Sequence, residues 1–174
     1  MKKLCILLLF IVFQNHAQQV LSVKEQAVVI DDILADRFNN VLPELMDRAD
    51  LDMWVLISRE YNEDPVLKTM LPATWLNARR RTIIVFYRNK DQNTIEKLAV
   101  ARYNFGDNII SAWDKEKQPD QWKRLVEIIE ERAPKQIGLN YSTHFNISDG
   151  LDKTDYDEFM QVLPQTYKTK VVSA

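Results

Sequence analysis

Cysteine, histidine and glycine are all scarce in this chain of 174 residues, which contains one cysteine, two histidines and three glycines. A single cysteine, Cys5, cannot form a disulfide within the chain, so stability must come from packing. Three glycines are too few for a glycine-rich loop that cradles phosphate groups. With so few thiols and imidazoles, a cysteine–histidine catalytic site beyond the first residues is excluded.

An excess of basic residues is also missing, since the formal net charge is −2 and the isoelectric point is about 5.7. Proteins that bind nucleic acid through their overall charge are usually basic, so we expect no nucleic-acid partner. No apolar run reaches the length of about 20 residues that a membrane-spanning helix requires. We therefore expect no membrane partner for the part of the chain that follows the apolar run near the N-terminus.

The first residues have the layout of a cleavable signal peptide. Lys2 and Lys3 form a short basic region, and the apolar run from Leu4 to Phe13 follows it. The polar residues 14–16 then end in the small residue Ala17, where we expect cleavage. We predict that residues 1–17 are a signal peptide and that the protein is exported, to the periplasm or the cell exterior. A buried N-terminal strand or helix is the alternative.

Residues 18–174 predict one α/β domain. The pattern favours a helix over residues 24–50, in which Val29, Ile33, Phe38, Val41, Leu45 and Met46 face the core and Pro43 causes a kink or break. Amphipathic helices are predicted over residues 120–132 and 155–163. Strands are predicted at residues 52–58, 82–87, 95–103 and 136–140, and a last one begins at Val171. The second and third form a hairpin, and the apolar strands need cover on both faces.

Two polar clusters adjoin the strongest strands. The first, from Arg59 to Pro65, directly follows a buried strand, where α/β folds place ligands. We select Arg59, Glu60, Tyr61 and Asp64 as candidates for a groove or a domain interface. The alternative is that Arg59 and Glu60 pair locally while Asp64 and Pro65 start a turn.

The second cluster is the triple arginine at residues 79–81, from which we select Arg80. Arginines grip carboxylates bidentately, but a solvated strand entrance is the alternative interpretation. His144 lacks the sequence context of a nucleophile elbow, and the carboxylates lack the spacing of metal ligands. We predict no catalytic residue, no metal ligand and no cofactor in this chain.

Several motifs resemble the N-terminal domain of exported Xaa-Pro aminopeptidase-like proteins, which belong to the pita-bread metallopeptidases with prolidase and creatinase. The motifs are Arg37, Leu42-Pro43 and Met46, the run Asp52 to Pro65 (DMWVLISREYNEDP), Arg79 to Thr82 (RRRT), Ile137 to Ser142 (IGLNYS) and Asp149 to Leu151 (DGL). The resemblance covers nearly all of residues 18–174. It implies a mixed β-sheet flanked by helices, as in the creatinase and prolidase N-terminal domain.

The resemblance also implies a function that is not catalytic. In that family a following pita-bread domain holds two divalent metal ions, typically manganese, while the N-terminal domain packs in the dimer and narrows access to the metal site. The expected partners are therefore a pita-bread catalytic domain, a second copy of the chain, or both. We expect a truncated or partial product that is inactive alone. A stand-alone exported binding module and a small hydrolase with an unrecognised carboxylate site remain as alternatives.

Overall fold

A computed structural model describes residues 20–174, and the signal peptide predicted for residues 1–17 lies outside the described residues. The helices are α1 (Val23–Asp36), α2 (Leu42–Arg48), α3 (Pro65–Thr69), α4 (Gln121–Arg132), α5 (Lys153–Val162) and α6 (Gln165–Lys168). The strands are β1 (Met53–Arg59), β2 (Arg81–Asn89), β3 (Thr94–Ala99), β4 (Ile110–Ser111), β5 (Ile137–Leu139) and β6 (Val171–Ser173). A π-helical turn, Arg37–Val41, joins α1 to α2.

The strands form one mixed sheet of six strands in the order β4-β3-β2-β1-β5-β6. β2 is antiparallel to β1 and to β3, whereas β1–β5, β5–β6 and β3–β4 are parallel pairs. The predicted α/β class, with a mixed sheet flanked by helices, is confirmed. The predicted hairpin is present as β2 and β3, and the short β4 was not predicted.

The third strand ends earlier than predicted, at Ala99 instead of residue 103. Beyond Ala99 the chain turns away from the sheet, and Tyr103 stacks on Trp75 with ring centroids 5.2 Å apart. Phe105 packs edge-on against the same indole at 4.6 Å. Because this aromatic cluster buries large apolar rings, its packing outweighs further strand pairing.

Both faces of the sheet are covered, as the apolar sequences of its central strands predicted. One face carries Leu56, Ile84 and Phe86, which pack against Phe38, Leu42 and Met46 of the α1–α2 region. The opposite face carries Met53, Val55, Ile57, Ile83 and Val85, which pack against Leu125, Ile128, Ile129 and Phe159 of α4 and α5. The alternation of neighbouring residues such as Val55 and Leu56 between the two cores is the period-two pattern of a strand.

The α1–α2 region buries only part of the predicted apolar set. Phe38 and Met46 are buried as predicted, together with Leu34 and Leu42, whereas the predicted positions Val29, Ile33 and Val41 are exposed. A spacing of four residues drifts around an α-helix, which has about 3.6 residues per turn. The wider π-helical turn compensates for that drift and keeps the four side chains on one face. It lies just before Pro43, which cannot donate the usual backbone hydrogen bond.

Several apolar side chains of α1 are in contact with solvent. Val23 is 82% exposed and Ile33 is 51% exposed, and Val28, Val29 and Ile30 are also exposed. Within residues 20–174, no helix has both the length and the apolar character needed to cross a membrane.

Candidate functional site

The candidate site lies where β1 ends and β2 begins. Because these strands are antiparallel neighbours, Arg59 and Arg81 occupy paired positions in the register. Two adjacent arginines repel one another unless a carboxylate lies between them. Asp155 of α5 provides it: its side chain is fully buried, and it accepts hydrogen bonds from Arg59 Nε at 3.0 Å and Nη2 at 2.7 Å.

A second carboxylate of α5 completes this network. Glu158 Oε2 lies 2.9 Å from Arg81 Nη1 and accepts a hydrogen bond from the indole N–H of Trp122 at 3.0 Å. Arg81 also lies over the Trp122 ring, 4.2 Å from its centroid. These contacts from several directions fix the orientation of both arginines at the end of the sheet.

The ionisation of the network follows from burial and hydrogen bonding. Burial raises the pKa of Asp155, and its hydrogen bond with Arg59 acts in the opposite direction. That same hydrogen bond raises the pKa of Arg59 above its usual value. The hydrogen bond from Trp122, followed by that from Arg81, lowers the pKa of Glu158. Arg59 therefore stays charged, and Asp155 acts as its buried anchor.

Beside the network, two loops form a rim, which we define as Glu60, Tyr61 and Arg80; Tyr61 and Arg80 are exposed and Glu60 is half-buried. The Glu60 N–H donates to the carbonyl of Arg80 at 2.7 Å, and the Arg80 N–H donates to Glu60 Oε2 at 3.2 Å. Tyr61 and Arg80 have φ angles of +68° and +49°, in the left-handed region that side chains disfavour. Tyr61 is 90% exposed.

The rim residues border a groove of about 510 Å³. Its lining comprises Arg59, Glu60, Tyr61, Arg80, Arg81 and Glu158. The structure therefore brings four of the five residues selected from the sequence to one surface. Asp155 and Glu158, which orient the arginines, were not selected.

The structure contradicts the expectation that Asp64, the fifth selected residue, lies at the groove. It is fully buried and begins α3, where its Oδ1 accepts a hydrogen bond from the Val66 N–H at 2.7 Å. Asn140 Nδ2 donates to its Oδ2 at 2.7 Å, and the Asp64 N–H donates to Ser58 Oγ at 2.9 Å. Burial raises the pKa of Asp64. Asp64 therefore caps α3 and packs the loop before it, and it does not line the groove.

The alternative of a local Arg59–Glu60 pair is wrong. Arg59 contacts acids of α5, and Glu60 instead binds the backbone of Arg80. The other half of that alternative holds, because Asp64 and Pro65 do start the turn into α3.

A second cavity of about 430 Å³ adjoins the groove on the other side of the triple arginine. Five basic residues line it, namely Arg79, Arg80, Arg81, Arg102 and Lys115. The rest of its wall comes from Ala101, Tyr103, Trp113 and Gln121. We call this space the arginine cavity. Arg102 and Lys115 were not selected from the sequence, because they are distant from the triple arginine along the chain.

Within residues 20–174, no group of three or more His, Cys, Asp or Glu side chains is arranged to hold a metal ion. His144 lies exposed in the loop between β5 and α5.

Comparison of the sequence with protein-family models gives no match, and comparison with curated proteins gives none either. Among solved structures, the fold is similar to a Xaa-Pro dipeptidase from Bacillus anthracis, with a TM-score of 0.43 and 11% sequence identity. The similarity covers 85% of this chain and 33% of that chain, so this chain spans about a third of the dipeptidase. The α/β class itself rests on the sheet and helices described above.

Proposed function

We propose that this chain is the non-catalytic N-terminal domain of an exported Xaa-Pro aminopeptidase-like metallopeptidase. In this role the rim and groove at the end of β1 and β2 contact a pita-bread catalytic domain and narrow access to its pair of metal ions, typically manganese. No residue of this chain is assigned a catalytic role. The proposal also includes packing against a second copy of the chain.

The observation that carries the proposal is the exposure of Tyr61 on disfavoured backbone beside Arg80. A tyrosine in the left-handed region costs stability, and Tyr61 recovers little of that cost by packing because it is 90% exposed. Such strain is concentrated at functional sites. Tyrosine and arginine are also enriched among the residues that dominate protein–protein binding.

The sequence supports the same surface independently. The run Asp52 to Pro65 carries the most specific part of the family resemblance. That run forms β1 and then supplies Glu60 and Tyr61 of the rim. The buried strand and its Asp155 anchor hold this rim on a rigid element, as a docking surface requires.

The test mixes the 174-residue chain with a separately expressed pita-bread domain of an exported Xaa-Pro aminopeptidase-like protein and measures binding by calorimetry. Tyr61→Gly removes the side chain while accommodating the positive φ, so folding stability should not fall. We expect this variant to weaken binding by at least about tenfold, as loss of an interface hot spot does. Ile110→Ala, at an exposed position on the edge strand β4, is the matched control and should bind as the unmodified chain does.

The outcomes separate the proposal from its competitors. Absence of binding by the unmodified chain, or equal binding by Tyr61→Gly, would reject the rim as the docking surface. A chain that ignores the catalytic domain yet binds another ligand would favour the stand-alone exported module. The arginine cavity is the observation that supports this alternative.

The second-copy part of the proposal is supported by the exposed apolar side chains of α1, namely Val23, Val28, Val29, Ile30 and Ile33. Large exposed apolar patches commonly mark interaction sites. Sedimentation velocity of the chain over a range of concentrations tests it. Self-association that Ile33→Glu abolishes is the expected result, and a monomer at every concentration would remove this part of the proposal.

A further inference from the structure

The arginine cavity concentrates positive charge without matching negative charge. Arg81 is the only one of its five cations with an ion pair among residues 20–174, through Asp155 and Glu158. Arg79 instead lies over the Trp75 ring at 5.2 Å, and it is exposed like Arg102. Since like charges in one cavity repel, an anion there would be stabilised by several cations together.

Arg81 is held in place at the wall of the same cavity. Its guanidinium is fixed by Glu158 and by the Trp122 ring. A fixed guanidinium adds its positive charge to the cavity and favours an anionic ligand such as a carboxylate or a phosphate.

The shape of the surface favours an extended ligand over a single small ion. Arg80 lines the arginine cavity, the 510 Å³ groove and a third depression of about 380 Å³. These three spaces therefore adjoin one another at one side chain, and we call them together the trough. Tyr103 and Trp113 add apolar wall, against which the methylene groups of a ligand can pack.

The charges of the neighbouring groove distinguish a peptide from a nucleic acid. Glu60 and Glu158 line that groove, and their carboxylates repel any anion placed there. A phosphodiester backbone is charged at every unit, whereas a peptide can keep its carboxylates in the arginine cavity and place only amide groups in the groove. The carboxylates of the groove accept hydrogen bonds from peptide N–H groups. A ligand that carries carboxylates on an amide backbone therefore matches both parts of the trough.

We propose that the arginine cavity is a binding site for an acidic peptide segment, whose carboxylates pair with Arg79, Arg80, Arg102 and Lys115. This inference does not depend on the proposed docking of a catalytic domain. It assigns a ligand class to a surface that shares Arg80 with the rim and otherwise lies beside it.

The test is fluorescence anisotropy of labelled hexaglutamate titrated with the 174-residue chain at low salt. Arg102→Gln should weaken binding by at least about tenfold, because it removes a charge-assisted hydrogen bond. Arg48→Gln removes the same charge from an exposed arginine outside the cavity and should change the affinity by less than about twofold. Lys115→Gln serves as a second cavity variant if circular dichroism shows that Arg102→Gln is misfolded.

Three further probes decide the ligand class. Hexaglutamine should not bind, and added salt should weaken hexaglutamate binding, because the attraction is electrostatic. No binding of hexaglutamate, or equal losses in the Arg102→Gln and Arg48→Gln variants, would overturn the site. Tighter binding of oligothymidylate or of inorganic phosphate than of hexaglutamate would overturn the choice of a peptide. Since Arg102 lies outside the rim, loss of peptide binding with intact docking would separate this inference from the proposed function.

Discussion

The contact between Gly150 and Asp64 gives the sharpest stability prediction. A Cβ atom added at Gly150 would lie 2.6 Å and 2.7 Å from the two carboxylate oxygens of Asp64. Atoms that are not bonded do not approach so closely, so Asp64 would have to move. Its hydrogen bonds with Val66 and Asn140 and its complete burial oppose that movement.

The size of the effect follows from what the movement would disrupt. Overpacking a buried site costs about 1–3 kcal/mol, and loss of a helix cap costs about 1 kcal/mol. Because one displacement causes both losses, we expect Gly150→Ala to lower the free energy of unfolding by about 2–4 kcal/mol. Asp64→Ser shortens the opposing side chain and retains a capping oxygen. The combined variant should therefore lose about 1–2 kcal/mol less than the sum of the single losses.

Urea unfolding followed by tryptophan fluorescence measures these free energies. Thr154→Ala, at an exposed position in the first turn of α5, is the control and should stay within about 0.5 kcal/mol of the unmodified chain. If Gly150→Ala also stays within about 0.5 kcal/mol, the added methyl group does not displace Asp64, because substitutions without such a clash fall in that range. Strict additivity of Gly150→Ala and Asp64→Ser, to within about 0.5 kcal/mol, would likewise contradict the predicted clash.

Two further predictions concern buried carboxylates. Asp155→Ala should lower the unfolding free energy by about 2 kcal/mol, because it removes the buried carboxylate that pairs with Arg59. The Arg59 side chain is 41% exposed, and its contact with water reduces the loss. Urea unfolding measures the loss, and a value no larger than that of the exposed control Asp157→Ala would contradict the prediction. Burial raises the pKa of Asp64 above its usual value of 3.8. At a pH between the pKa in the unfolded state and the pKa in the folded state, the folded state therefore binds more protons than the unfolded state. The contribution of this group to stability falls as the pH rises through that range. The loss of unfolding free energy caused by Asp64→Asn should therefore be larger near pH 4.5 than at pH 7, a pH range chosen because the usual aspartate pKa is about 4. A smaller loss at the lower pH would contradict this prediction.

Most of the regular elements could be predicted because they follow from local patterns. The apolar runs at β1 and β2 and the amphipathic face of α4 signal their structure without tertiary information. The α1–α2 region was placed correctly, but only Phe38 and Met46 of its buried positions were predicted, because the π-helical turn changes the helical period. The two-residue strand β4 is too short to leave a periodic signal.

The candidate site was predicted only in part, for a related reason. Arg59 and Glu60 were identifiable because they follow a buried strand. The anchor Asp155 lies 96 residues from Arg59, so its role depends on how α5 packs on the sheet. Asp64 was assigned to the groove because it belongs to the polar run that follows β1, where α/β folds place ligands. Its capping bond and its contact with Asn140 instead place it in the interior.

Hydrogen–deuterium exchange of the 174-residue chain, with and without the pita-bread domain, tests the docking proposal most directly. If the rim docks the catalytic domain, backbone amides at residues 60–63 and 77–81 should exchange more slowly, because the partner would cover the rim and its loops. Amides of the loop between β2 and β3, residues 90–93, serve as an internal control and should be unchanged. Protection confined to other parts of the chain, or no protection at saturating partner, would contradict the assignment of this surface to a catalytic domain.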